Sequence, residues 1–95
     1  MRPKKILWSP IAADDLKEAY EYIRRDSEIH SKALVRNIHS RVGKLARFEK
    51  LGRVIPELGQ SRYRELIVGE YRVFHEIREQ EILIFRVLHS KRFFQ

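Results

Sequence analysis

Residues 64–77 read RELIVGEYRVFHEI, and the four residues at their centre, Val68-Gly69-Glu70-Tyr71, constrain the fold more than any other stretch. Two apolar runs separated by Gly-Glu suit a two-residue hairpin of type II′, with glycine at the first central position. Such a turn fixes the register. Ile67 then opposes Arg72, Leu66 opposes Val73, and Glu65 opposes Phe74. Opposed residues share a face, because side chains alternate along a strand. One face therefore carries Leu66, Val68, Tyr71, Val73 and Ile77 and is the better core face. The other carries Tyr63, Glu65, Ile67, Arg72, Phe74 and Glu76. This second face is expected to lie open, with Arg72 diagonal to Glu65.

The rest of the chain supplies the partners of that hairpin. Lys4–Trp8 reads as a first strand. Ser9-Pro10 gives an N-cap followed by proline at the first helical position. Ala12, Leu16, Ala19, Tyr20 and Ile23 recur at helical spacing, so an amphipathic helix is expected over Pro10–Arg25. Asp26-Ser27-Glu28 breaks it and can cap a second helix from Ile29 to about Phe48. There Leu34, Ile38, Val42 and Leu45 form one stripe. Lys32, Arg36, His39, Arg41, Lys44 and Arg47 lie largely off that stripe and make the outer face basic. A connection of about three residues makes the two helices an antiparallel hairpin. Leu51–Arg62 contains Gly52, Pro56 and Gly59 and reads as a loop. The last strand, Ile82–Leu88, is apolar on both faces apart from Arg86, as expected for a central strand. The order β-α-α-β-β-β gives an α+β fold: an antiparallel sheet with a helical hairpin packed on one face. All 95 residues fit one domain.

Composition narrows the classes of function. The chain has no cysteine, which excludes disulfides and thiolate chemistry and fits a reducing cytoplasm. MRPKKILW has no apolar stretch behind its basic residues, so no signal peptide is expected. No apolar run approaches the roughly 20 residues a bilayer requires, so no membrane role is expected. The net charge of +7 is unevenly placed. Residues 1–28 balance six bases against six acids, residues 29–62 hold eight against two, and residues 63–95 hold six against five. A basic middle segment and an acid-free tail after Glu81 point to an anionic partner, either nucleic acid or an acidic protein segment.

Candidate site residues come from the second hairpin face and the tail. A guanidinium at Arg72 can hold a phosphate or carboxylate through two parallel hydrogen bonds. It can equally form an ion pair with Glu65 across the strands or with Glu76 on the same face, worth about 0.2–1 kcal/mol. The tail VLHSKRFFQ places His89, Lys91 and Arg92 beyond the last strand. A histidine among cations can move protons or contact phosphate near neutral pH; the alternative is a strand-end histidine and a solvated tail. Phe93 and Phe94 can stack on bases or dock on the core. His30, His39, His75 and His89 lack metal-ligand spacing, and no phosphate-binding glycine loop or nucleophile elbow occurs. No metal and no cofactor is therefore expected.

Four ordered segments, WSPIAADDLKEAYEYI, GRVIPELG, YRELIVGEYRVFHEI and ILIFRVLHSKRFF, resemble the ParE/RelE superfamily of toxins from type II toxin–antitoxin and plasmid-stabilisation systems. The resemblance spans nearly the whole chain and implies the same β-α-α-β-β-β fold. It also implies growth inhibition, a cognate antitoxin that wraps the toxin with an often acidic segment, and a toxin–antitoxin hetero-oligomer. RelE-like members cut mRNA in the ribosome, whereas ParE-like members poison DNA gyrase. By motif, Arg72 falls on the RelE arginine after the tight turn, Arg92 on the later strand-end arginine and Lys91 on the lysine before it. In a nuclease, Arg72 and Arg92 stabilise charge on the scissile phosphate and Glu65 or His89 moves protons. Lys91, Arg86 and Tyr63 are then contacts to phosphate or target. Tyr63 and Glu65, however, stand where the best-known RelE nuclease has lysines, and the sequence ends at Gln95, short of that nuclease's C-terminal tyrosine. The pattern is closer to a ParE-like gyrase poison, with a RelE-like endoribonuclease as the alternative and an inactive remnant or binding module as a third reading.

Overall fold

Two serines set the helices. In the computed structural model, which describes residues 2–91, Ser9 Oγ accepts from the Ala12 N–H and starts α1 (Pro10–Arg24). Ser27 Oγ accepts from the His30 N–H and starts α2 (Glu28–Gly43). Each cap satisfies a backbone donor that the first helical turn leaves orphaned. The second helix stops earlier than its pattern suggests. At Gly43, the weakest helix former in the stretch, it tightens into a 3₁₀ turn over Lys44–Ala46, which keeps Leu45 fully buried.

The strands are β1 (Lys5–Trp8), β2 (Arg53–Val54), β3 (Tyr63–Val68), β4 (Tyr71–Ile77) and β5 (Glu81–His89). They form one sheet in the order β1-β5-β4-β3-β2. β3 and β4 pair in the register set by the Gly69-Glu70 turn, with Ile67 opposite Arg72 and Glu65 opposite Phe74. Gly69 has φ of 58°, as a type II′ turn demands. The sheet is mixed, not wholly antiparallel, because β1 runs parallel to β5, from Lys5 opposite Glu81 to Trp8 opposite Ile84. No turn links those two strands, so no local signal in the sequence reports their direction. β4 takes the centre of the sheet, and β5 lies inside it between β1 and β4.

The helical hairpin covers one face. Ala12, Leu16 and Ala19 of α1, with Leu34, Ile38 and Val42 of α2, bury against Leu66, Val68, Tyr71, Val73, Ile82, Ile84 and Val87. β5 contributes to this face on both sides of a bulge: Phe74 pairs with Arg86 but His75 with Ile84, so Phe85 is the extra residue. Beyond Trp8 no strand among the described residues neighbours the outer edge of β5, and α1 closes it. Ser9 N–H and Oγ donate to the carbonyls of Ile84 and Phe85, and Asp15 accepts from the Val87 N–H at 2.9 Å. The basic face of α2 is thinner than its composition suggests. His39 stacks against Trp8, and Arg41 donates to the Ile67 carbonyl.

Gly69→Val should cost about 1–3 kcal/mol of stability, because a β-branched side chain resists positive φ. Glu70→Ala, an exposed change, should stay within about 0.5 kcal/mol of the parent. Denaturant unfolding of both variants checks this, and equal losses would contradict the turn assignment.

Candidate functional site

The face of the hairpin turned away from the helices is covered. After the 3₁₀ turn the chain lays β2 against β3, with Arg53 opposite Glu65 and Val54 opposite Arg64. It then folds back across the sheet. Ile55, fully buried, packs with Phe74 and Leu88, and Leu58, Tyr63 and Phe85 pack around them. Arg64 staples the segment by donating to the carbonyls of Gly52 and Ser61 at 3.0 and 2.9 Å. Gly52 permits the approach: a Cβ there would meet the Glu65 carbonyl oxygen at 2.6 Å and His75 Cε1 at 2.8 Å.

This cover changes Arg72. The residue is 6% exposed and Glu65 is 1% exposed. Arg72 Nε donates to Glu65, Nη2 reaches Glu65 Oε2 at 3.2 Å, and Nη1 and Nη2 each donate to Glu57 at 2.8 Å. Arg53 Nε adds a contact of 3.0 Å to Glu65, and the Arg72 guanidinium sits 4.7 Å above the Phe74 ring. Two carboxylates and two guanidiniums thus neutralise one another in a half-dry pocket. Glu57, then Glu65, hold the Arg72 guanidinium above its ordinary pKa, against the opposing effect of burial. The open-face arginine and exposed Glu65 expected from the sequence are instead a buried ion-pair network. The physical reason is that Ile55 and Leu58 carry Glu57 down onto the sheet.

The other candidates do not converge on it. His89 opposes Tyr71 in the register, so it lies on the helix-covered face, and the sheet separates it from Arg72 and Glu65. Its ring meets Tyr71 edge-on at 5.5 Å, Nε2 is 3.6 Å from Glu70, and Nδ1 accepts from the Lys91 N–H. Arg86 is tied to Asp15 at 2.7 Å. Tyr63 is half-buried, edge-on to Phe85, with the Arg62 guanidinium 4.8 Å from its ring centre. Lys91 is exposed. Arg92, Phe93 and Phe94 lie outside the described residues. Among the described residues, no group of three or more His, Cys, Asp or Glu side chains is placed to hold a metal ion.

Three residues escape the sequence reading. Glu57 is one of only two acids in residues 29–62, between Ile55-Pro56 and Leu58, and an isolated acid flanked by apolar residues was the available signal. Asp15, in the first turns of α1, has no signal in the sequence for its role, yet it accepts from the Val87 N–H at the β5 edge. His75 falls on the core face by the alternation of β4 and is fully buried. Burial pushes its imidazole down from 6.5 to about 4, and the nearby Arg64 charge acts in the same direction.

Several solved structures share the fold. The chromosomal ParDE system of P. aeruginosa matches with a TM-score of 0.74 and 21% identity, covering 93% of this chain and 97% of that one. The YoeB dimer of Staphylococcus aureus gives 0.62 and 20%, covering 92% and 97%. The RelB–RelE antitoxin–toxin complex of Methanococcus jannaschii gives 0.54 and 24%, covering 90% and 91%. At these identities the likeness is one of fold. No curated protein matches the chain. The model of the ParE toxin of the type II toxin–antitoxin system parDE matches residues 6–94. The chain therefore belongs to the ParE toxin family of type II toxin–antitoxin systems.

Removing one partner of a buried ion pair leaves the other charged and dry, so Arg72→Ala should lose about 3–5 kcal/mol. Arg53→Ala, at a side chain 61% exposed, should lose less than about 1 kcal/mol. Denaturant melts compare the two, and an Arg72→Ala protein as stable as the parent would contradict the network. His75 makes a separate prediction. Its folded pKa lies below its unfolded value, so its contribution is present above pH 6.5 and is lost as pH falls from there towards 4. The loss is on the order of 3 kcal/mol, and a His75→Leu variant should lack that part of the slope in stability against pH.

Proposed function

We propose that this ParE-family chain inhibits growth by binding rather than by cleaving, with DNA gyrase as its target. The observation that supports a binding toxin is the state of Arg72. The guanidinium that the RelE resemblance assigns to phosphate is held by Glu57 and Glu65, and His89 lies across the sheet from it. A cleavage site needs its cation and its proton carrier on one side of a reacting phosphate, within hydrogen-bond reach. Gyrase as the target rests on the ParE family match and on the departures from the RelE pattern at Tyr63 and Glu65.

The same reading includes a cognate antitoxin in a hetero-oligomer. A groove between α1 and α2 offers it a seat, with Ala13, Leu16 and Val35 along its floor and Lys17, Lys32 and Arg36 among its lining residues. An acidic segment with apolar anchors fits this lining.

Induced expression separates the targets when DNA breaks and mRNA 5′ ends are read from the same culture. Growth arrest with DNA breaks and intact message is the expected result. Arrest with new mRNA ends and intact DNA would replace this reading with the endoribonuclease, and no arrest would leave a remnant. Co-purification with the product of a short neighbouring gene, partly resistant to salt, is expected for the antitoxin.

A further inference from the structure

We infer that the solvent-facing ridge of α2 and its 3₁₀ extension is a binding track for the phosphate backbone of duplex DNA. From Ile29 to Phe48 the chain contains no acid and five Lys or Arg residues. The structure sorts them. Arg41 turns to the Ile67 carbonyl at the edge of β3. Lys32, Arg36, Lys44 and Arg47 are all exposed. Lys32 keeps only a loose 3.8 Å contact to Glu28, and Arg36, Lys44 and Arg47 have no ion-pair partner among the described residues. At ~100° per residue, Lys32 and Arg36 project opposite the buried stripe of Leu34, Ile38 and Val42. At about 1.5 Å per residue, the cations from Lys32 to Lys44 cover ~18 Å along the axis, on a four-residue ridge that winds about a third of the way around it.

The chemistry of the ridge decides the class of partner. Between the cations lie Ser40 and Gly43, both exposed, and a Cβ at Gly43 would meet nothing within 4 Å. A narrow, cationic edge with small residues between its charges can approach a charged rod closely. Its exposed large apolar side chains, Ile29 and Phe48, stand only at its two ends; from Lys32 to Arg47 no exposed large apolar residue interrupts the cations, and the apolar lining an acidic protein segment would need lies in the neighbouring groove with Leu16 and Val35. DNA presents charge at regular intervals of about 1.7 Å along its axis, so cations spread along such a ridge meet several phosphates at once. Lys32 and Arg36 belong to both the ridge and the groove. Occupation of the groove by an acidic segment and engagement of DNA by the ridge then compete for the same two charges.

The test needs neither gyrase nor an antitoxin, so its failure is distinguishable from failure of the gyrase reading. Anisotropy of a labelled 30-base-pair duplex is titrated with the purified chain at 50 and 200 mM salt. With four phosphate contacts the affinity should fall on the order of 100-fold between the two salts. Arg36→Glu and Lys44→Glu should each weaken binding about tenfold and lower the salt slope by about one. Arg62→Glu makes the same charge change beside Tyr63 on the other side of the sheet and should have less than about a threefold effect. Thermal melts of the three variants confirm that each is folded. Equal weakening by all three variants would overturn the track, since binding would then follow net charge alone. Tighter binding of single-stranded RNA or of polyglutamate than of the duplex would also overturn it, in favour of those partners.

Discussion

Glu65 places a carboxylate where almost no solvent reaches it. An ionised group in that position must be paired and hydrogen-bonded or the sheet pays several kcal/mol for it. Arg72, on the neighbouring strand, answers the first requirement. Its guanidinium then brings donors of its own, which need a second acceptor. Glu57 supplies it, and Glu57 can reach only if residues 55–58 lie on the sheet. The docking of that segment and the burial of Ile55 thus depend on one charge pair. Hydrophobic burial of Ile55 and neutralisation of Arg72 reinforce each other, so loss of either should loosen the same segment.

The sequence made the two helices, their caps and the hairpin register legible because each is a local signal. Ser9-Pro10 and Ser27 act within three residues, and Gly69 acts within its own turn. The direction of β1 and the covering of the second hairpin face depend on residues far apart in the chain, so periodicity did not carry them. Leu51–Arg62 was recognised as a loop from Gly52, Pro56 and Gly59, but the same segment holds Ile55, Glu57 and Leu58. Those three contradict a solvated loop. The exposure of Arg72 was misjudged for that reason: the residue was placed on the correct face, and the face was assumed to be bare. His75 was readable by strand alternation alone, since it shares parity with Val73 and Ile77.

The resulting molecule divides its charges by task. On the loop side, Arg53 and Arg72 hold the chain together, and Arg64 ties Gly52 and Ser61 to β3. On the helix side, Arg86 and Arg41 close sheet edges. Cations left to face solvent are concentrated along α2 and the turn after it. On the reading proposed above, the contact surface lies there, beside the groove proposed as the seat of an acidic antitoxin segment.

The parallel pairing of β1 with β5 joins the two ends of the described chain, Lys5 with Glu81 through Trp8 with Ile84. β5 is also the neighbour of β4. On a ribosome, the first strand emerges early and waits for the last. Until residues 81–89 have left the exit tunnel, β1 has no strand to join, the centre of the sheet has one bare edge, and Ser9 and Asp15 have no backbone to receive them. Contacts of such long sequence separation form late and slowly. The helical hairpin can assemble earlier, but the finished sheet, and whatever activity depends on it, comes into being only once residues 81–89 are free to pair with both β1 and β4.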